Sequence, residues 1–283
     1  MKIIDTHQHL IYPDKLNNPW TKDVPALAHK PFRVEEYRVA VRGTGISETL
    51  FMEVDVVEPQ IKAETDFFLK LAGDPQSGIV GVLGNCRPEH ADFPKYLESV
   101  LHPKLKGLRR ILHVVPDELS QTPLFAKNLS LLAKHNLTFD LCLLARQLPI
   151  GAKLIKQLPN QQFILDHCGV PDIKADALDP WRQHIRDLAK FPNLACKISG
   201  VVAYCDPKNV TVAAIRPSVE HCIECFGWER VVFGGDWPVC NVTSSLGAWV
   251  AILKEMVAKE SPSNQEKLFA KNAERIYRVK QSS

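Results

Sequence analysis

The sequence predicts a (β/α)8 barrel, on three observations. Short apolar or β-branched runs recur eight times, most of them followed by a helical pattern. The 283 residues suit a barrel, which needs about 250. No internal repeat or Pro/Gly/Ser-rich linker divides the chain, so it reads as one domain over 1–283. An open doubly wound sheet is the structural alternative. Neither G-x-G-x-x-G after the first strand nor a P-loop G-x-x-x-x-G-K-[ST] occurs, so its nucleotide-binding versions lose support.

Strands are predicted at 2–5, 48–54, 78–83, 107–112, 138–142, 162–166, 194–198 and 230–233. Helices are predicted near 61–72, 93–101, 124–135, 148–157, 181–190, 213–226, 244–259 and 264–278. Strands alternating with helices imply a parallel sheet, and closing it into a barrel removes its edges. The polar, Pro-containing stretch 11–34 is too long for a tight βα turn. A loop of that length in a compact domain is often functional, so it reads as a segment covering the substrate.

Composition excludes several classes. Hydrophobic residues make up 45% and charged residues 24%, the balance of an ordinary globular protein able to bury a core. The formal net charge is +3 without a Lys/Arg run, which argues against nucleic acid and membrane surfaces as partners. No stretch approaches the roughly 18 to 20 apolar residues of a membrane span, and no signal peptide precedes the first strand. The expectation is a soluble, cytoplasmic protein; its oligomeric state has no sequence signal. The 8 cysteines read as buried free thiols, since several sit inside apolar runs such as FDLCLLA. Cys222 and Cys225 form a CxxC, but within a helical segment and with no second pair at zinc-ribbon spacing. His221 beside them reads as a surface residue of that helix.

Barrel chemistry gathers at the C-terminal ends of strands. Strand 1 ends in DTHQH, so His7 and His9, two apart, face the same way. Strand 2 ends near Glu53 and Asp55, strand 4 carries Arg109 and Arg110, and strand 5 holds Asp140. Strand 6 ends in DHCG with His167, strand 7 in KISG with Lys197 and Ser199, and strand 8 on Asp236. Each alone has an ordinary explanation as a turn or core residue. Three His and an Asp together at strand ends do not, because burying ionisable groups without a task costs several kcal/mol each.

The segments IIDTHQHL, LKGLRRIL, FILDHCGVP, NLACKISGV, RVVFGGDWPV and KNAERIYRV run in order over nearly the whole chain. In them the chain resembles the amidohydrolase-related family, in the branch that holds pyrone-dicarboxylate and sugar lactonases. The resemblance implies hydrolysis of a lactone carbonyl by an activated water. It makes Asp236 the general base, with His7, His9 and His167 orienting the water or the developing oxyanion. Arg109 suits a substrate carboxylate or hydroxyl, whereas Arg110 points to the opposite face. Glu53, Asp140, Lys197 and Ser199 are candidate hydroxyl contacts, and Tyr204 and Trp237 candidate pocket walls.

The metal question stays open at this point. His7, His9 and Asp236 resemble the metal side of the superfamily, and three ligands with one open position suit catalytic zinc. Metal-dependent members usually add a His from strand 5, where this chain has Asp140. Binuclear members add a bridging Lys or Glu from strand 4, where it has Arg109, which repels a cation. The residues favour a metal-independent enzyme or one holding a single divalent ion loosely.

A sugar-acid lactone is preferred over a pyrone dicarboxylate, which needs more than one Arg; the direction of Arg33, Arg87 and Arg146 is not fixed by the sequence. Two rivals differ in their demands. A metal-dependent decarboxylase or hydratase calls for a His near Asp140, and a non-catalytic small-molecule-binding barrel for the loss of polar strand ends.

Overall fold

The strands of this barrel are buried on both faces, which is why they read as near-continuous apolar runs rather than as an alternating pattern. The structure, a computed structural model, describes residues 1–279. The last four residues of the expected 1–283 unit lie outside the described residues. The eight strands are β1 (Ile3–Gln8), β2 (Ile46–Met52), β3 (Ile79–Asn85), β4 (Leu105–Ile111), β5 (Thr138–Cys142), β6 (Phe163–Leu165), β7 (Leu194–Ile198) and β8 (Val231–Phe233). All pair in parallel, in sequence order.

The helices are α1 (Val34–Ala40), α2 (Ile61–Ala72), α3 (Phe93–Val100), α4 (Pro123–Leu129), α5 (Leu131–Lys134) and α6 (Leu148–Gln157). They continue with α7 (Trp181–Leu188), α8 (Val212–Phe226), α9 (Leu246–Met256), α10 (Pro262–Glu266) and α11 (Asn272–Ile276). Among the described residues no helix is long and apolar enough to cross a membrane.

Alternation along each strand splits the apolar residues into two sets. Ile3, Phe51, Leu108, Phe139, Phe163 and Val231 join the large core shared with the helices. Ile4, Leu50, Leu83, Ile164, Ala195 and Val232 form a separate cluster with Ala273, Ile276 and Tyr277 from the end of the chain. One end of the barrel is thereby filled with apolar groups.

Closure at the other end differs. Instead of a ladder, the chain after β8 bonds to β1 and the residue beyond it: Asp236 N–H donates to His7 O (2.8 Å) and His9 N–H to Trp237 O (2.7 Å). The seam therefore sets Asp236 beside both histidines.

Several boundaries depart from the sequence pattern. β1 extends to Gln8, so His7 is a strand residue. β6 stops at Leu165, and Asp166–Gly169 form a tight turn. The 124–135 helix is divided at Ser130 into α4 and α5. The 264–278 helix is α10 and α11 joined by a π turn over Lys267–Lys271. The stretch 11–34 is pinned at its base by paired backbone bonds between Ile11 and Phe32 (2.8 and 3.0 Å). Its Trp20 donates to Val54 O (2.9 Å), which folds the segment over the strand ends. α1, which the sequence reading does not anticipate, follows directly; Arg33 N–H donates to Glu36 at its start (2.8 Å).

Candidate active site

Above the apolar layer lies a sealed layer of charge. Lys197 Nζ reaches Asp140 Oδ2 (2.5 Å), Asp166 Oδ1 (3.0 Å) and His7 Nδ1 (3.3 Å). Tyr277 O–H donates to the same Asp140 oxygen (3.2 Å). Arg109 donates from Nε to Glu53 Oε1 (2.6 Å) and from Nη2 to Glu53 O (2.8 Å), and Nη1 lies 3.5 Å from Asp166. Every one of these residues is buried. Burial pushes the Asp140 carboxyl up to about 6 even with Lys197 beside it. Asp166 goes the opposite way: burial opposes its charge, but Lys197 and His7 hold it well below the usual carboxylate range. Burial and the Lys197 cation keep His7 well below its ordinary value, and therefore neutral.

The mouth is a cavity of about 240 Å³. Its polar wall is His9, Asp55, Arg109, His113, His167, Tyr204 and Asp236. Its apolar wall is Trp20, Val54, Ile111, Val114, Cys142 and Val239. Asp236 Oδ1 stands 3.6 Å from His9 Nε2 and 3.7 Å from His7 Nε2, and those two nitrogens are 3.1 Å apart. His9 Nδ1 is 3.1 Å from Met52 O, an acceptor, so that nitrogen carries the proton and Nε2 presents its lone pair. Ser199 Oγ lies 3.0 Å from His167 Nδ1, which leaves Nε2 as the nitrogen for the cavity. Burial lowers His167, and burial with the Arg109 cation lowers His113 to about 4.

The backbone around this cavity is unusual. Asp55, His167 and Asp236 all have positive φ (46°, 55° and 54°). Such residues cost on the order of 1–3 kcal/mol each and gather where surroundings force them. At Gly200 (φ 66°), a Cβ would stand 2.3 Å from His167 Nδ1 and 3.1 Å from Asp236 Oδ2. Only glycine lets those two side chains approach. Asp5 anchors the seam from outside the barrel, accepting from His7 N–H (2.9 Å), Gly235 N–H (2.6 Å) and Tyr37 O–H (2.7 Å).

Of the residues singled out in the sequence, His9, Asp55, Arg109, His167, Tyr204 and Asp236 meet at the cavity. His7 is one layer deeper and fully buried. Glu53, Asp140, Lys197 and Ser199, the candidate hydroxyl contacts, do not line the cavity: the first three are drawn down by opposite charges, and Ser199 holds His167. Trp237 packs on Phe32 and Tyr37 instead of lining the pocket. Arg110 turns away from the barrel interior to Glu89 (2.9 Å). His221 is partly buried, 2.9 Å from Arg182 O. Sequence reasoning passes over Asp166, Asp5, Trp20 and His113. Asp166 had a usable signal, sitting two residues from Ile164 on the inward side of β6.

His7 Nε2, His9 Nε2 and Asp236 Oδ1 form a triangle with edges of 3.1, 3.6 and 3.7 Å. Two imidazole nitrogens and a carboxylate oxygen at such spacing fit around one divalent ion whose bonds are about 2.0–2.2 Å. Arg109 Nη1, 3.3 Å from His7 Nε2, puts a fixed positive charge against that position.

An uncharacterized protein of Sinorhizobium fredii is 29% identical, over 98% of both chains. An L-fucono-1,5-lactonase of Burkholderia ambifaria is 24% identical over 99% of this chain and 97% of its own. A crystal structure of an amidohydrolase from Burkholderia multivorans with bound zinc superposes with a TM-score of 0.90 at 22% identity, covering 99% of this chain and 100% of that one. The Amidohydrolase family model matches residues 4–279, and the chain belongs to that family.

Proposed function

We propose that this protein is a lactone hydrolase in which Asp236 is the general base. The observation that carries the reading is the placement of the Asp236 carboxylate in the cavity, within 3.7 Å of two imidazole nitrogens and held by backbone at a positive φ. A water beside Asp236 gives up its proton to the carboxylate as it attacks the lactone carbonyl. Negative charge then develops on the carbonyl oxygen, where His167 and the Tyr204 hydroxyl can donate hydrogen bonds. Burial, with Asp236 nearby, raises the Tyr204 phenol well above its ordinary value, so it stays a donor. The proton on Asp236 passes to the ring oxygen as the C–O bond breaks. His7, His9 and Asp236 would hold a divalent ion if one is bound, and such an ion would supply Lewis-acid polarisation and a more acidic water.

The cavity favours a neutral ring over a dicarboxylate. Among the described residues Arg109 is the one permanently cationic side chain in its wall, and that guanidinium already serves Glu53 and Asp166. Arg33, Arg87 and Arg146 do not line it. A sugar-acid lactone with an apolar edge suits the mixed wall, and the named fuconolactonase relative supports the same class.

The test is proton release on a panel of aldonolactones and 2-pyrone-4,6-dicarboxylate, with and without chelator. Acid production on an aldonolactone is the expected result, and resistance to chelation would leave the metal inessential. Silence across the panel would reject the reading.

A further inference from the structure

Three cysteines from three elements meet behind the turn that carries His167. Cys168 lies in that turn, Cys196 on β7 and Cys222 on α8. Their sulfurs lie within 4.8 Å of one another, all three residues are fully buried, and no disulfide joins them. The fold creates this convergence, since the positions are far apart in sequence. Cys225, the other half of the CxxC, is only half-buried and pairs with His221 at 3.6 Å.

Geometry permits one central atom. For sulfurs spaced this closely a point exists within about 2.8 Å of all three, and a metal–sulfur bond is about 2.3 Å, so small side-chain rotations suffice. Among the described residues no fourth metal-binding side chain joins the group, which disfavours a closed structural zinc site. Charge narrows the choice further. Cys168 Sγ faces the Lys197 carbonyl (3.8 Å) and Cys222 Sγ the Cys168 carbonyl (3.9 Å), and these are acceptors, not cations. Three thiolates around a monovalent ion leave two net negative charges, and around a divalent ion one. A trivalent centre leaves none, and a dry site penalises uncompensated charge.

We propose that Cys168, Cys196 and Cys222 form a trithiol site for a trivalent thiophilic centre of the arsenous acid class. Uptake is a condensation. Three S–H and three As–O bonds break, three As–S bonds form, and the thiol protons leave on the departing hydroxides as three waters. Arsenic stays trivalent, and no oxidant or reductant is needed. Because the thiols are buried, entry requires local opening of the turn or of α8, so uptake is slow.

Occupancy should reach the active site. Cys168 follows His167 in the chain, both at φ 55°, and Cys196 precedes Lys197. Drawing these sulfurs inward pulls on the turn that aims His167. This consequence rests on the lactonase reading; the binding itself does not.

The experiment incubates the native, reduced full-length protein with arsenite and reads native mass and arsenic X-ray absorption. The expected result is one arsenic per chain with loss of three hydrogens and a shell of three sulfurs. Cys222→Ala should lose that adduct and Cys225→Ala should keep it. No adduct after prolonged incubation overturns the proposal, as does a shell containing oxygen or an adduct surviving in Cys222→Ala. If Cys222→Ala does not fold, the wild-type sulfur shell still decides. An adduct on a protein that opens no lactone would keep this site and reject the lactonase.

Discussion

The two polar layers of the barrel are a few ångströms apart and opposite in character. In the lower one, Lys197, Asp140, Asp166 and Glu53 are sealed from solvent and paired with one another or with Arg109, whose guanidinium also reaches the cavity wall. In the upper one, a few polar groups share the cavity with Trp20, Val54, Ile111, Val114 and Val239. The contrast teaches that density of charge does not mark the reacting groups. The lower layer holds side chains in place, and the upper one leaves Asp236 and His167 able to meet a ligand.

Substitutions in the two layers should have unequal effects. Lys197→Met strands two buried carboxylates and should cost about 3–5 kcal/mol of stability, read from the urea midpoint. Asp55→Asn at the mouth should cost less than about 1 kcal/mol. Equal effects would erase the distinction between the layers. Ser199→Ala removes the partner of His167 Nδ1 and is expected to lower kcat about fivefold, the equivalent of one hydrogen bond near 1 kcal/mol, with KM unchanged. A rise in KM alone would instead place Ser199 against substrate. Ile111→Asn, in the apolar wall, should raise KM a few-fold through an uncompensated polar group and leave kcat alone.

A further effect concerns pH. His113 is held at about 4 in the fold against about 6.5 in the unfolded chain, by burial and Arg109. Between those values the unfolded chain binds more protons, so this group's contribution is intact above pH 6.5 and is lost as pH falls towards 4. Melting across pH 7 to 5 should show a slope of about 1 kcal/mol per pH unit from His113, and His113→Asn should flatten it by that amount. An unchanged slope would mean that the half-buried His113 imidazole is not held neutral in the fold.

Much of the barrel was legible because apolar runs and helical periodicity report burial directly. α1 was not, because it follows a long polar segment whose ends are pinned by the Ile11–Phe32 pairing, a contact between residues far apart in sequence. His9, Arg109, His167 and Asp236, which converge on the cavity, were readable from strand ends, whereas Trp20 and His113 were not. Depth was not: Lys197 and Asp140 lie at inward strand positions like Arg109, but an ion pair between distant strands drew them below the mouth. Left-handed backbone at His167 and Asp236 leaves no trace in sequence, since neither is a glycine. Apolar cavity walls were equally hidden, because Val54 and Ile111 look like any core residue.

The most direct test of the central claim is the rate of acid release from an aldonolactone by the wild type and by Asp236→Asn, with folding of both verified by melting. General-base catalysis contributes about 10²–10⁴-fold, so a loss of that size at unchanged melting temperature is expected. Near-normal turnover by Asp236→Asn would contradict it.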